Sequence, residues 1–161
     1  MIRMTVQGLT LDPGTNSPIL ILKSADGAQT LPIWIGLMEA TAIASELEQI
    51  HFSRPMTHDL LKNLIDGLGH SVVKVEVVDL RDNTFYALIH LLGPGGEFSM
   101  DCRPSDAIAL GLRAGAPIYV AEGVIAEAAP KTSAEMASTS DDKWKDILER
   151  MKPEDFGKYK M

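Results

Sequence analysis

The chain has 161 residues, 45% of them hydrophobic and 23% charged, which is enough for one domain with a real core and too little for two ordinary ones. Its formal net charge of -7 argues against a broad basic surface that would attract nucleic acid along its length. The single cysteine, Cys102, excludes an internal disulfide and a cysteine-rich zinc site, as suits a reducing compartment.

No basic segment followed by an apolar run opens the chain, and no apolar run approaches the roughly 18 residues that cross a bilayer. A soluble, cytoplasmic protein without membrane contact is expected. The first stretch, MIRMTVQGLTL, alternates loosely; SPILILKS is an apolar run between turn residues; TLPIWI ends at Gly36. These three strands form an antiparallel meander. From Leu37 the period changes, with Ala40, Ala44, Leu47 and His51 on the same stripe, so a first helix extends to about residue 51.

After the short link HFSRPM, Thr57 is a good N-cap for a second helix whose apolar face is Leu60, Leu61, Leu64, Ile65 and Leu68, ending at Gly67 or Gly69. HSVVKVEVVDL and TFYALIHLL form a hairpin around Arg81, Asp82 and Asn83, and GPGG turns into the strand EFSMDC. A third, deeply buried helix follows Arg103, and APIYVAEGVI reads as a last strand. The order predicts an α+β fold: a mostly antiparallel mixed sheet with about three packed helices. Residues 129–140, rich in Ser, Thr and Ala, read as a linker, and 141–161 as a short amphipathic helix with a polar tail.

Two stretches concentrate polar residues at helix starts: SRPMTHDLL, with Arg54 and His58, and DCRPSDAIALGLRAGAPIYV, with Asp101, Arg103, Ser105 and Asp106. As structure, Pro104 at the first helical position makes Arg103 the cap and puts Asp106 third, facing free backbone amides and the positive end of the helix dipole. As function, Asp101 at a strand end and Arg103 at a helix entry converge on one cleft. Arg54, extended before Pro55, reaches either a phosphate or a structural carboxylate. His58 borders the apolar face as a packed side chain or a base. Glu39 and Glu46, on one edge of the first helix, stand in water or hold a metal. No H-x-x-x-H, G-x-x-x-x-G-K or G-x-S-x-G motif is present.

The blocks LPIWIGLMEATAI, SRPMTHDLL, VVDLRDNTFYALI and DCRPSDAIALGLRAGAPIYV resemble, in order over about residues 1–128, those of the bifunctional nuclease domain family, a bacterial domain family with plant relatives. The resemblance implies DNase and RNase activity and assigns no catalytic residue. Phosphodiester hydrolysis needs an activated water, stabilisation of added negative charge and protonation of the leaving oxygen. The candidates are His58, Asp101, Arg103 and Asp106 for catalysis and Arg54, Arg103 and Ser105 for the nucleic-acid substrate. A divalent ion such as magnesium or manganese is a possible cofactor. The alternative is a non-catalytic, oligomeric binding or regulatory module. Strands as apolar as PILILK and FYALIHLL exceed what three helices cover, so at least a homodimer is expected.

Overall fold

Short turns with fixed backbone requirements divide the chain into two meanders. The computed structural model describes residues 1–128. The linker expected over 129–140 and the helix expected within 141–161 lie outside the described residues. The first meander is β1 (Ile2–Leu11), β2 (Pro18–Ser24) and β3 (Thr30–Trp34). Asp12 closes its first turn, accepting hydrogen bonds from the Gly14 amide at 2.8 Å and the Trp34 indole N–H at 2.9 Å. The second meander is β4 (Ser71–Arg81), β5 (Thr84–Gly93) and β6 (Gly96–Cys102). Its two-residue loop places Asp82 and Asn83 at φ 49° and 60°, the left-handed pair of a type I′ hairpin turn.

A strand of three residues, β7 (Ile118–Val120), joins the two meanders into one sheet of order β3-β2-β1-β7-β4-β5-β6. It runs antiparallel to β1 and parallel to β4, and every other pairing is antiparallel. The sheet carries α1 (Leu37–Leu47), α2 (Thr57–Gly67), α3 (Pro104–Ala114) and α4 (Glu122–Ala128). The α+β architecture is as predicted, with four helices in place of about three. The expected last strand ends at Val120, because Val124, Ile125 and Ala128 are buried at helical spacing. The first helix stops at Leu47 rather than near residue 51, since Gln49 turns left-handed at φ 54°. The N-cap of α2 is Met56, not Thr57, and Asp59 supplies the capping by accepting the Met56 amide at 2.9 Å.

The core lies between the sheet and α1, α3 and α4, with Leu20, Leu22, Ile43, Val75, Ile108 and Leu110 fully enclosed. Of the two runs expected to carry surplus apolar surface, the first is covered, with Ile19 to Leu22 of β2 all buried, and the second alternates between buried and partly exposed positions in β5, leaving Leu92 48% exposed. Exposed apolar surface lies also on α2, which buries no residue and leaves Leu60, Leu64 and Leu68 more than half exposed, and on Phe98 and Met100 of the edge strand β6. No helix among the described residues is long and apolar enough to cross a membrane.

Gly111 lets α3 approach β4 closely, since a Cβ there would meet the Val75 methyls at 3.2 and 3.3 Å. Gly111→Leu is therefore expected to destabilise the fold by about 2–3 kcal/mol through overpacking. Gly95→Ala, in open space, should stay within about 0.5 kcal/mol. Urea midpoints at unchanged slope measure both.

Candidate functional site

The amino ends of α1, α2 and α3 each carry an acid at the third helical position: Glu39, Asp59 and Asp106. Each carboxylate meets the positive end of its own helix dipole. What joins the helices is a chain of polar contacts. Arg103, the N-cap of α3, donates from Nε and Nη2 to Asp106 at 2.7 and 3.1 Å, and its Nη1 lies 3.0 Å from Glu39 Oε1 of α1. The ring Nε2 of His58, on α2, stands 3.0 Å from Asp106 Oδ1. His58 and Arg103, from α2 and α3, thus share the Asp106 carboxylate, the histidine from 48 positions away in sequence, and Arg103 extends the chain to Glu39 of α1.

Burial pushes the Asp106 carboxyl up, yet the hydrogen bonds from Arg103 and His58 outweigh it and hold its pKa below the ordinary 3.8. Asp106 is therefore ionised at neutral pH and accepts at Oδ1, so His58 Nε2 carries a proton, and in the neutral imidazole Nδ1 keeps its lone pair. The Arg103 guanidinium is driven up by Asp106 and then by Glu39. These four residues border a cavity of about 250 Å³, with Met38, Phe52 and Leu61 on its apolar walls.

A second contact set lies beside the first. Arg113, in the last turn of α3, is only 6% exposed and donates from Nε to Asp59 at 2.7 Å, from Nη1 to the Ala109 carbonyl at 2.9 Å and from Nη2 to Ser45 Oγ at 3.5 Å. Burial pushes the Asp59 carboxyl up, and the Met56 amide and the Arg113 guanidinium bring it below 3.8. Arg113, Ser45 and Phe52 also wall a second cavity of about 250 Å³, which contains Arg54, His51 and Asn63.

Of the residues singled out in the sequence, His58, Arg103 and Asp106 come together. Asp106 meets side chains rather than the first-turn amides. Arg54 lines the second cavity and makes no ion pair among the described residues. Asp101 is exposed on β6 and Ser105 is 5% exposed in the first turn of α3, and neither lines either cavity. Cys102, beside them, is pushed up to about 11 by burial and by the nearby Asp101 and Asp106 charges, so its thiol stays protonated.

Among the described residues no three His, Cys, Asp or Glu side chains come together as a metal ligand set. Glu39 and Asp106, the acids nearest the cavity, are bridged by Arg103, which supplies the positive charge a cation would bring. The described residues at this cavity do not fit a bound divalent ion.

Sequence reasoning passed over Glu39 as a partner of Arg103, and passed over Arg113 and Phe52 altogether. The signal for Arg113 was its isolation, as the one basic residue within PSDAIALGLRA.

The depressed Asp59 and Asp106 values set the direction of acid sensitivity. Their stabilisation is fully present above about pH 4, the unfolded value, and is lost as pH falls through the lower folded values. Melting temperatures between about pH 2 and 6 should fall less steeply for Asp59→Asn with Asp106→Asn than for the native chain. Parallel curves would refute the assignment.

Comparison with known proteins places these residues in a family. The model of the bifunctional nuclease domain matches residues 20–133. An uncharacterised protein of Mycobacterium tuberculosis is 42% identical over 159 residues, covering 94% of this chain and 95% of its own length. Bifunctional nuclease 1 of Arabidopsis thaliana is 30% identical over 71% of this chain, and bifunctional nuclease 2 of Oryza sativa subsp. japonica 29% over the same share. In both plant proteins the match spans 36% of their length. The chain belongs to the bifunctional nuclease domain family.

Proposed function

We propose that the chain hydrolyses phosphodiester bonds of DNA and RNA in the cavity bounded by Glu39, His58, Arg103 and Asp106. The observation that carries this reading is the His58–Asp106 hydrogen bond, 3.0 Å long, at a cavity that also holds Arg103. DNA lacks a 2′-hydroxyl, so a site acting on both polymers uses water as nucleophile. His58 Nδ1 takes the proton of that water, the resulting hydroxide forms the new P–O bond, and the ester P–O bond on the opposite side breaks. The leaving oxygen takes its proton from solvent. Asp106 holds the imidazole in one tautomer and stabilises the imidazolium. Arg103 commits three of its five N–H groups to Glu39 and Asp106, leaving two for the phosphoryl oxygens.

Replacement of His58 by Ala should lower the rate of nuclease action by about a hundredfold or more while the protein stays folded. Asp106→Asn keeps a hydrogen-bonding group and costs at most about 1–2 kcal/mol of stability, with a similarly large loss of rate. Melting temperature and cleavage of DNA and RNA, measured on one preparation, decide the matter. Folded variants of unchanged rate would sink the proposal.

A second reading, a homo-oligomeric binding module, is favoured by α2, whose Leu60 and Leu64 are more than half exposed. We assign this helix face to a contact between copies of the chain. Light scattering should then show at least a dimer at micromolar concentration, and Leu64→Lys should dissociate it. A monomer in both samples removes the contact.

A further inference from the structure

The second cavity has a lining that catalysis in the first does not use. Among the described residues, Arg113 spends three of its five N–H groups on Asp59, Ala109 and Ser45, so two remain on a guanidinium that borders both cavities. A buried guanidinium with spare donors at a cavity wall is a site for an anion's oxygens. Arg54 is exposed in the same cavity with no ion pair among the described residues, at a bend in the link between α1 and α2. Phe52 lies on the wall common to both cavities, and Asn63 adds an amide that both donates and accepts. An arginine without a carboxylate, a half-free guanidinium, an aromatic ring and an amide are the groups that hold a nucleotide's phosphate and base.

We infer that the second cavity is a subsite for one unpaired nucleotide of a single-stranded substrate. Its phosphate lies on Arg54 and the spare N–H groups of Arg113, its base lies against Phe52, and the next phosphodiester along the strand enters the cavity of His58. This rests on the proposed hydrolytic reading for the direction of the strand, and its own content is binding. The size of the cavities selects the substrate: each holds about 250 Å³, room for a splayed nucleotide and not for a stacked base pair. Charge sets the length. Glu46 and Asp59 offset Arg54 and Arg113 in the lining, and the whole chain carries -7, so only the phosphates inside the groove are attracted.

The test is equilibrium binding of a fluorescein-labelled hexathymidylate with phosphorothioate linkages, followed by anisotropy in buffer containing EDTA. The full chain should bind it. Arg54→Ala should raise Kd about tenfold and flatten the salt dependence by about 0.7 in log–log slope, one phosphate's share on a single strand. Phe52→Ala should raise it about tenfold, the scale of one base stacked on an aromatic ring, and Phe52→Trp should restore it. A duplex of the same sequence should bind at least tenfold more weakly. No binding by the native chain, an equal affinity for duplex, or a Kd indifferent to both Arg54→Ala and Phe52→Ala overturns the subsite. If native protein cuts nothing yet its Kd responds to Arg54 and Phe52, the hydrolytic reading fails and the subsite stands.

Discussion

A full positive charge on a side chain 6% exposed has to be answered by fixed partners, and Arg113 is answered from two other helices. Its carboxylate comes from Asp59 at the start of α2 and its hydroxyl from Ser45 in α1. Leaving a charge so placed unpaired costs several kcal/mol, far more than a surface ion pair contributes. The positions of α1 and α2 against α3 are therefore coupled to this one guanidinium. The adjacent residue His58 reaches Asp106, seven positions before Arg113 on α3 and so about 10 Å away along its axis. The first turn of α2 consequently lies along α3 between these two contacts, and the cavities open on either side of it.

On the proposed reading, the same arrangement lets an acidic chain keep a place for phosphate. Three helix amino ends near one another concentrate partial positive charge, and Glu39, Asp59 and Asp106 neutralise it locally. Each of these acids in turn holds an arginine or a histidine in place. Asp106 accepts three hydrogen bonds, so its charge is used to orient His58 and Arg103 rather than to repel a substrate. Among the described residues, the positive groups left over at the two cavities are the uncommitted N–H groups of Arg103 and Arg113 and the whole of Arg54. Recognition is then a matter of a few placed donors, with little contribution from the long-range field.

Most of the fold was legible because its signals are periodic. Alternation in HSVVKVEVVDL, turn residues at Asp82 and Asn83, and Pro104 after Arg103 each state a local rule that the tertiary structure obeys. The errors have equally local causes. The β-branched run IYV continues by eye into AEGVI, yet the burial of Val124, Ile125 and Ala128 obeys a spacing of helix, not strand. Asp101 lies two residues from Arg103, which suggested one cleft. In β6, however, Cys102 pairs with the buried Ala87 and Asp101 with Leu88, so strand alternation sends the aspartate to the opposite face. Arg113 and Phe52 left no such trace, because what gives them a role is a neighbour 50 or more residues away or a cavity formed by a loop.

Site and assembly meet in α2. The helix supplies His58 and Asp59 to the polar contacts, while only partly buried Ile65 packs against the core and its leucines remain in solvent. Its place therefore depends on two polar pairs and a narrow apolar seam, whereas α3 is buried along most of its length. Removing apolar surface from water is worth roughly 25 cal/mol per Å², so covering one leucine side chain contributes about as much as one of those polar pairs. A partner laid on the outer face of α2 would thus add to the hold on the histidine about what Asp106 contributes. Order at the candidate base is shared between the inside of the fold and the surface it presents.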